Sequence, residues 1–184
     1  MVTIGTKENF IYLTKLDYTN TCDKVFSISK KNNSLSLAEE SLPKPITTKS
    51  KMYVDEITND IIPNMEKKDM VPLVVFYENK PAGYLMGQWE DWPNGKVLVI
   101  EGILVSNKHQ GKGLAKNLLL KAIDIAKSNS ECRGVYAEMD TTKFQASKLL
   151  LASGFNFGGA KLFIYSKEEP SKFSKEAIYF YYAI

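Results

Sequence analysis

Apolar residues occupy nearly every position from 97 to 106 and then settle into a helical rhythm at Ala115, Leu118, Leu119, Ala122, Ile123 and Ala126. An unbroken apolar run of that length predicts a strand covered on both faces. The three- and four-residue steps predict an amphipathic helix over 112–129, with Lys116, Asn117, Lys121, Asp124, Lys127 and Ser128 on the opposite side. Between them stands a short polar turn, Asn107-Lys108-His109-Gln110-Gly111-Lys112-Gly113. Strand, turn and helix make a junction suited to a phosphate-bearing ligand, because a helix start presents unpaired N–H groups and the positive end of the dipole.

The rest of the chain surrounds this junction. Residues 71–77 and 82–88 are apolar and flank the turn formers Glu78-Asn79-Lys80-Pro81, which predicts a hairpin. A loop rich in turn formers follows at 89–95. A short strand is expected at 135–139 and a second helix at 143–153, closed by Gly154. Strands at 157–166 and 177–184 end the chain, joined by the polar segment 167–175. The first fifty residues are less legible. Short strands are expected at 10–13 and 25–28, with a turn at Asn32-Asn33-Ser34. The weak alternation of Leu35, Leu37 and Leu42 fits strand or helix, and Pro43 and Pro45 break whatever precedes them. Residues 53–68 are partly helical, interrupted by Pro63. A hairpin followed by strand–helix–strand–helix–strand makes a mixed α/β layer structure.

A chain of 184 residues fits one domain, 1–184, with a proper core. The net charge of +3 is too mild and too scattered for a nucleic-acid binder. Cys22 and Cys132 are far apart and show no metal-ligand spacing, which suits free thiols in a reducing compartment and no metal site. No apolar run approaches the roughly 20 residues of a membrane span, and no basic-then-apolar signal sequence opens the chain. A cytoplasmic protein, without a membrane partner and acting as a monomer or homodimer, is the expectation.

Three nucleotide-loop patterns compete for Gln110-Gly111-Lys112-Gly113-Leu114-Ala115. The dinucleotide fingerprint needs a third glycine where Lys116 stands, and the Walker pattern is absent. The pattern Gln/Arg-x-x-Gly-x-Gly/Ala fits, and with the preceding strand, the following helix and the later Gly154-Phe155 it resembles the GNAT-type N-acetyltransferase superfamily over roughly 70–184. The resemblance implies a central, largely antiparallel twisted sheet of about six to seven strands flanked by helices, splayed at an acetyl-CoA site. Residues 1–69 would form the variable substrate side and 70–184 the acyl-CoA core. It further implies that the amides of Gln110, Gly111, Lys112, Gly113, Leu114 and Ala115 cradle the pyrophosphate of acetyl-CoA, with Lys112 and Lys116 adding charge. The backbones of Ile103, Leu104 and Val105 would pair with the pantetheine arm, and Gly102 sits where a bulge is cheap. On the second helix, Lys143 and Ala146 fall at the family's cofactor-facing Asn-x-x-Ala, with lysine in place of asparagine. Leu150 replaces the family's proton-donating tyrosine. Tyr165, Tyr179, Tyr181 and Tyr182 read as packing residues.

Acetyl transfer requires a neutral amine, and deprotonating a lysine-type ammonium at neutral pH costs roughly 4–5 kcal/mol. Glu101, an acid inside an apolar strand, is the candidate general base, and many family members carry a glutamate at the matching place. Glu138 and Asp140 are second candidates, or binders of a cationic substrate. Trp89 and Trp92 can form an aromatic wall for that substrate. His109, the only histidine, reads as a loop residue. Tyr53-Val54-Asp55-Glu56 and the aromatic tail from Glu176 to Tyr182 resemble the streptothricin acetyltransferases, which implies a small polycationic amine as acceptor. A protein N-terminus or lysine as acceptor, and a non-catalytic acyl-CoA-binding module, are the alternatives.

Overall fold

The computed structural model describes residues 1–32, 34–161 and 176–184. The chain runs through β1 (Val2–Ile4), α1 (Lys7–Leu13), β2 (Asn20–Lys31), β3 (Ser34–Thr48), α2 (Ser50–Glu56), a π turn (Ile57–Ile61) and α3 (Ile62–Asn64). It continues through β4 (Met70–Tyr77), β5 (Lys80–Trp92), β6 (Gly95–Val105), a 3-10 turn (Asn107–His109), α4 (Leu114–Lys127), β7 (Cys132–Asp140), α5 (Phe144–Ala152), β8 (Asn156–Lys161) and β9 (Ala177–Ala183). Seven strands follow the order β1-β4-β5-β6-β7-β9-β8 in a mixed, mostly antiparallel sheet, and β2 and β3 pair separately. Among the described residues, no helix is long and apolar enough to cross a membrane. The chain divides into two compact units, one of Met1–Asn20, Thr48–Val135 and Ala183–Ile184, the other of Thr21–Thr47 and Tyr136–Tyr182.

The first unit is built on the β4-β5-β6 meander. Glu78 and Asn79 both take positive φ, the two-residue turn whose twist suits a hairpin. Asn94 and Gly95 do the same at the next corner, so β5 and β6 extend through 89–92 and 95–96, where a loop was expected. Long cross-strand pairing outweighs the turn-forming composition of that stretch. The predicted stripe of α4 is buried at Leu118, Leu119, Ala122, Ile123 and Ala126, with Leu114 added at its start. A second cluster gathers Phe10, Leu13, Tyr18, Tyr53, Ile57, Tyr84 and Met86.

One expectation for this unit is corrected. Residues 10–13 are helical rather than extended: Thr6 and Asn9 form a reciprocal capping box, and Phe10 and Leu13 share one buried face. The helical stretch that Pro63 was expected to interrupt changes to a π turn at Ile57–Ile61 and then runs on to Asn64. Proline lacks the N–H for a bond to residue i−4 and its ring crowds that carbonyl. The chain accommodates it with a widened turn in which the Ile62 N–H donates to the Ile57 carbonyl.

In the second unit, β3 runs straight through Pro43 and Pro45, which were expected to break it. Among the described residues its only neighbour is β2, and a strand with one open edge tolerates residues that lack an N–H. Leu35, Leu37 and Leu42 therefore belong to a strand, not a helix. Phe26 of β2 packs on Phe144 with ring centroids 4.9 Å apart, and Lys148 reaches Glu39 at 2.7 Å. Gly154, at φ +92, closes α5 as expected, and the Phe155 N–H donates back to the Leu150 carbonyl. β8 and β9 pair antiparallel over the described residues, and the expected strand beyond 161, with Tyr165 and the segment 167–175, lies outside them.

Candidate active site

The end of β6 is tied down before the chain enters the glycine turn. The Ser106 N–H donates to Ala82 and the Asn107 N–H to Asp17, at 2.9 and 2.7 Å. Ser106 Oγ and His109 Nδ1 share a 2.7 Å hydrogen bond, and Gln110 Nε2 donates to the Val105 carbonyl at 3.2 Å. These contacts fix the 3-10 turn that delivers Gly111 and Gly113. Burial first, then the charges of Lys108 and Lys112, lower the His109 pKa. A neutral imidazole therefore suits this corner.

Gly111 and Gly113 both adopt φ +74, a left-handed conformation that L side chains rarely take. A Cβ on either would meet nothing within 4 Å, so each glycine borders open space. Gly113 caps α4 without a side-chain hydrogen bond, and the helix's own ladder starts only where the Asn117 N–H reaches the Gly113 carbonyl. The amides of Leu114, Ala115 and Lys116 precede that first bond and point out of the helix start. The Lys112 ammonium sits 4.0 Å from the centroid of the Tyr77 ring, and Lys116 is exposed. Exposed amides, a dipole end, two lysines and room for close approach fit a diphosphate group.

On β6, Met86 pairs with Gly102 and Gly87 with Ile100, which leaves Glu101 as the extra residue of a bulge. The bulge lies one residue earlier than Gly102, where it was expected. It turns Glu101 outward: Val97, Leu98, Val99 and Ile100 are buried, while Glu101 is exposed. The carboxylate is thus not enclosed among apolar neighbours, as its sequence surroundings implied.

Glu101 opens into a cleft of about 390 Å³ shared with Glu56, Asp60 and Asp69. Among the described residues Lys67 is the one cation on its lining, and Ile61, Met70 and Met86 give it an apolar floor. Tyr84 donates its hydroxyl to Glu56 Oε1 at 3.3 Å, and Gln88 Nε2 donates to Asp69 Oδ2 at 2.8 Å. Four carboxylates around an apolar floor favour a ligand with an aliphatic body and more than one positive charge. Glu56, Asp60 and Asp69 were not among the residues singled out from the sequence. They come from the helix with the π turn and from the approach to β4, and only the tertiary fold brings them to Glu101. The Tyr53-Val54-Asp55-Glu56 run was the one available signal.

Ile103, Leu104 and Val105 pair with Leu85, Tyr84 and Gly83 of β5. Trp89 and Trp92 lie on β5 outside the cleft lining; the Trp92 indole N–H donates to Glu90, and Arg133 stands over its ring. Glu138, Asp140, Lys143 and Ala146 belong to the second unit. The Asp140 carboxylate accepts the Thr142 N–H and hydroxyl, so it shapes the turn into α5. Glu138 is exposed, Lys143 caps α5, and Leu150 is wholly buried. Tyr179 stacks on Tyr136 and Tyr182 packs on Phe155, both as packing residues. Cys22 and Cys132 are free thiols, both buried.

Residues 35–155 match the model of the Acetyltransferase (GNAT) family. Over 98 residues the chain is 37% identical to a streptothricin acetyltransferase of Escherichia coli, covering 53% of this chain and 52% of the relative. Over 93 residues it is 29% identical to a spermine/spermidine N(1)-acetyltransferase of Bacillus subtilis (strain 168), covering 48% and 60%. The chain spans about half the length of the curated relatives it matches. A solved structure described as a streptothricin acetyltransferase from Bacillus anthracis str. Ames, in complex with acetyl coenzyme A, matches with a TM-score of 0.80 at 19% identity, over 100% of this chain and 99% of that one. A nourseothricin acetyltransferase matches with a TM-score of 0.75 at 18% identity, over 100% and 97%. At such identities these two likenesses show the fold.

Proposed function

The chain belongs to the acetyltransferase (GNAT) family, and from that premise we propose that it moves an acetyl group from acetyl-CoA to a primary amine of a small polycationic molecule, of the streptothricin or polyamine kind. The observation that carries this reading is a single strand, β6, which presents Glu101 to the acidic cleft and then feeds the glycine turn. Glu101 and Val105 are about 14 Å apart along an extended strand, a reach that a flexible acyl-carrying arm covers.

In this reading the amides of residues 110–115 and the charges of Lys112 and Lys116 hold the pyrophosphate. Ile103, Leu104 and Val105 offer backbone groups to the arm. Lys143 and Ala146 are assigned to the same ligand through the family pattern alone. Acetyl-CoA supplies the acetyl group as a thioester, with a thiol as leaving group. Glu101 takes the proton that the acceptor ammonium must lose, directly or through one water, which is general-base catalysis. Its exposure leaves it accessible for that role. Leu150 carries no proton to donate, and a thiol with an ordinary pKa of about 8.5 is acidic enough to depart as thiolate. The acidic cleft holds the acceptor's other charges, while Glu138 and Asp140 stand outside this assignment.

Thiol release from acetyl-CoA tests the reading, with streptothricin, spermidine and a lysine-containing peptide as acceptors. Release with either small polycation supports it. Release with the peptide alone makes the chain a protein acetyltransferase. If no amine gives release while acetyl-CoA still raises the melting temperature, the chain is an acyl-CoA-binding module.

A further inference from the structure

One carboxylate of the cleft is held from beneath. Glu56 ends α2 where the π turn begins, and its Oε1 accepts the Tyr84 hydroxyl at 3.3 Å. Tyr84 is 1% exposed and packs on Phe10 with ring centroids 5.7 Å apart. Burial first, then the charge of Glu56, raises its phenol pKa well above the ordinary tyrosine value, so the hydroxyl remains a donor throughout the working pH range. The same Glu56 oxygen lies 3.3 Å from where a Cβ on Gly102 would stand. Gly102 is not among the positive-φ residues, so its backbone places no demand for glycine. A methyl group at position 102 would press on this carboxylate and shift it by a few tenths of an ångström, so the bare backbone leaves the oxygen where Tyr84 holds it.

This arrangement separates the two acids. Glu56 is clamped, with one oxygen engaged by a neutral donor rooted in the core. Glu101 projects from the bulge that precedes Gly102. Resting on the reading of this cleft as the acceptor site, we propose that Glu56 is the specificity-determining carboxylate for the acceptor's ammonium group and that Tyr84 is its positioning residue, with Gly102 as the gap that admits it. Glu56 anchors the charge and Glu101 takes the proton.

Steady-state kinetics on the full chain test this, with spermidine and streptothricin as acceptors and each substrate varied in turn. E56Q is expected to raise the amine KM about tenfold or more while the acetyl-CoA KM stays within about twofold. Y84F and G102A keep the charge and misplace it, so each is expected to raise the amine KM by roughly three- to tenfold. Y84F added to E56Q is expected to change nothing further, because it acts through Glu56. An unchanged amine KM in E56Q overturns the proposal, and so does a Y84F effect of equal size with and without Glu56. G102A carries the positioning arm if Y84F does not fold. If the wild type releases thiol with neither amine, the acceptor reading falls and takes this inference with it. If the wild type is active and E56Q is kinetically silent, only the inference falls.

Discussion

The Lys112 ammonium stands 4.0 Å from the centroid of the Tyr77 ring, so a cation is parked beside the two left-handed glycines instead of ranging through solvent. Such a contact contributes about 0.5–1 kcal/mol at an exposed site, enough to bias where the charge rests. K112A is expected to weaken acetyl-CoA binding by roughly three- to tenfold, more at low salt than at high. Y77A should weaken it less, because the charge is retained and only its position is lost. Titration calorimetry at two ionic strengths checks both.

Gly111 and Gly113 separate fold from function. An alanine at either must hold φ +74, which costs roughly 1–2 kcal/mol, yet among the described residues its methyl group meets nothing within 4 Å beyond its chain neighbours. G111A and G113A are therefore expected to fold, with melting temperatures lowered by several degrees, at about 2–4 °C per kcal/mol for a chain this size. The acetyl-CoA KM should rise about tenfold or more, because the methyl fills the space the diphosphate requires. A variant that loses stability but keeps its acetyl-CoA KM would show that the turn is only structural.

Glu101 occupies the extra position of a bulge, so changing it disturbs no ladder pair with β5. E101Q should keep the melting temperature and the acetyl-CoA KM. Its kcat should fall by about 10²–10⁴-fold, the usual range for a lost general base. Rates at higher pH should recover part of the loss, since more of the acceptor amine is then neutral without help.

The His109 pKa is lowered, first by burial and then by Lys108 and Lys112. A depressed pKa means that the fold favours the neutral ring. The stabilisation is present above the ordinary histidine value of about 6.5 and is lost as pH falls through the lower folded value. Between about pH 7.5 and 5 the wild type should therefore lose more melting temperature than H109Q, which carries no titrating ring. Equal losses would contradict the assignment.

Legibility in the sequence followed the range of the interactions. The strand 97–106, the turn at 107–113 and the stripe of α4 were readable because each is set by periodicity and glycine within a few residues. The closure of α5 at Gly154 was readable for the same reason. The helix at Lys7–Leu13 was not, since Asn9 completes its capping box where glutamate or glutamine is the usual signal. The prolines of β3 misled because an open strand edge is a tertiary fact. Glu101 stood out as an acid in an apolar run, yet its exposure depends on a bulge that no local pattern announces. Glu56, Asp60 and Asp69 reach the cleft from separate elements, so their convergence on Glu101 is written in the topology and not in any spacing.

The most direct test of the account compares kcat/KM for spermidine with that for butylamine, a singly charged amine of similar chain type, at saturating acetyl-CoA. The carboxylates of the cleft predict a preference for the polycation of about 100-fold or more, collapsing toward parity as added salt screens them. Equal kcat/KM values for the two amines, unaffected by salt, would contradict the claim that this cleft reads a polycationic acceptor.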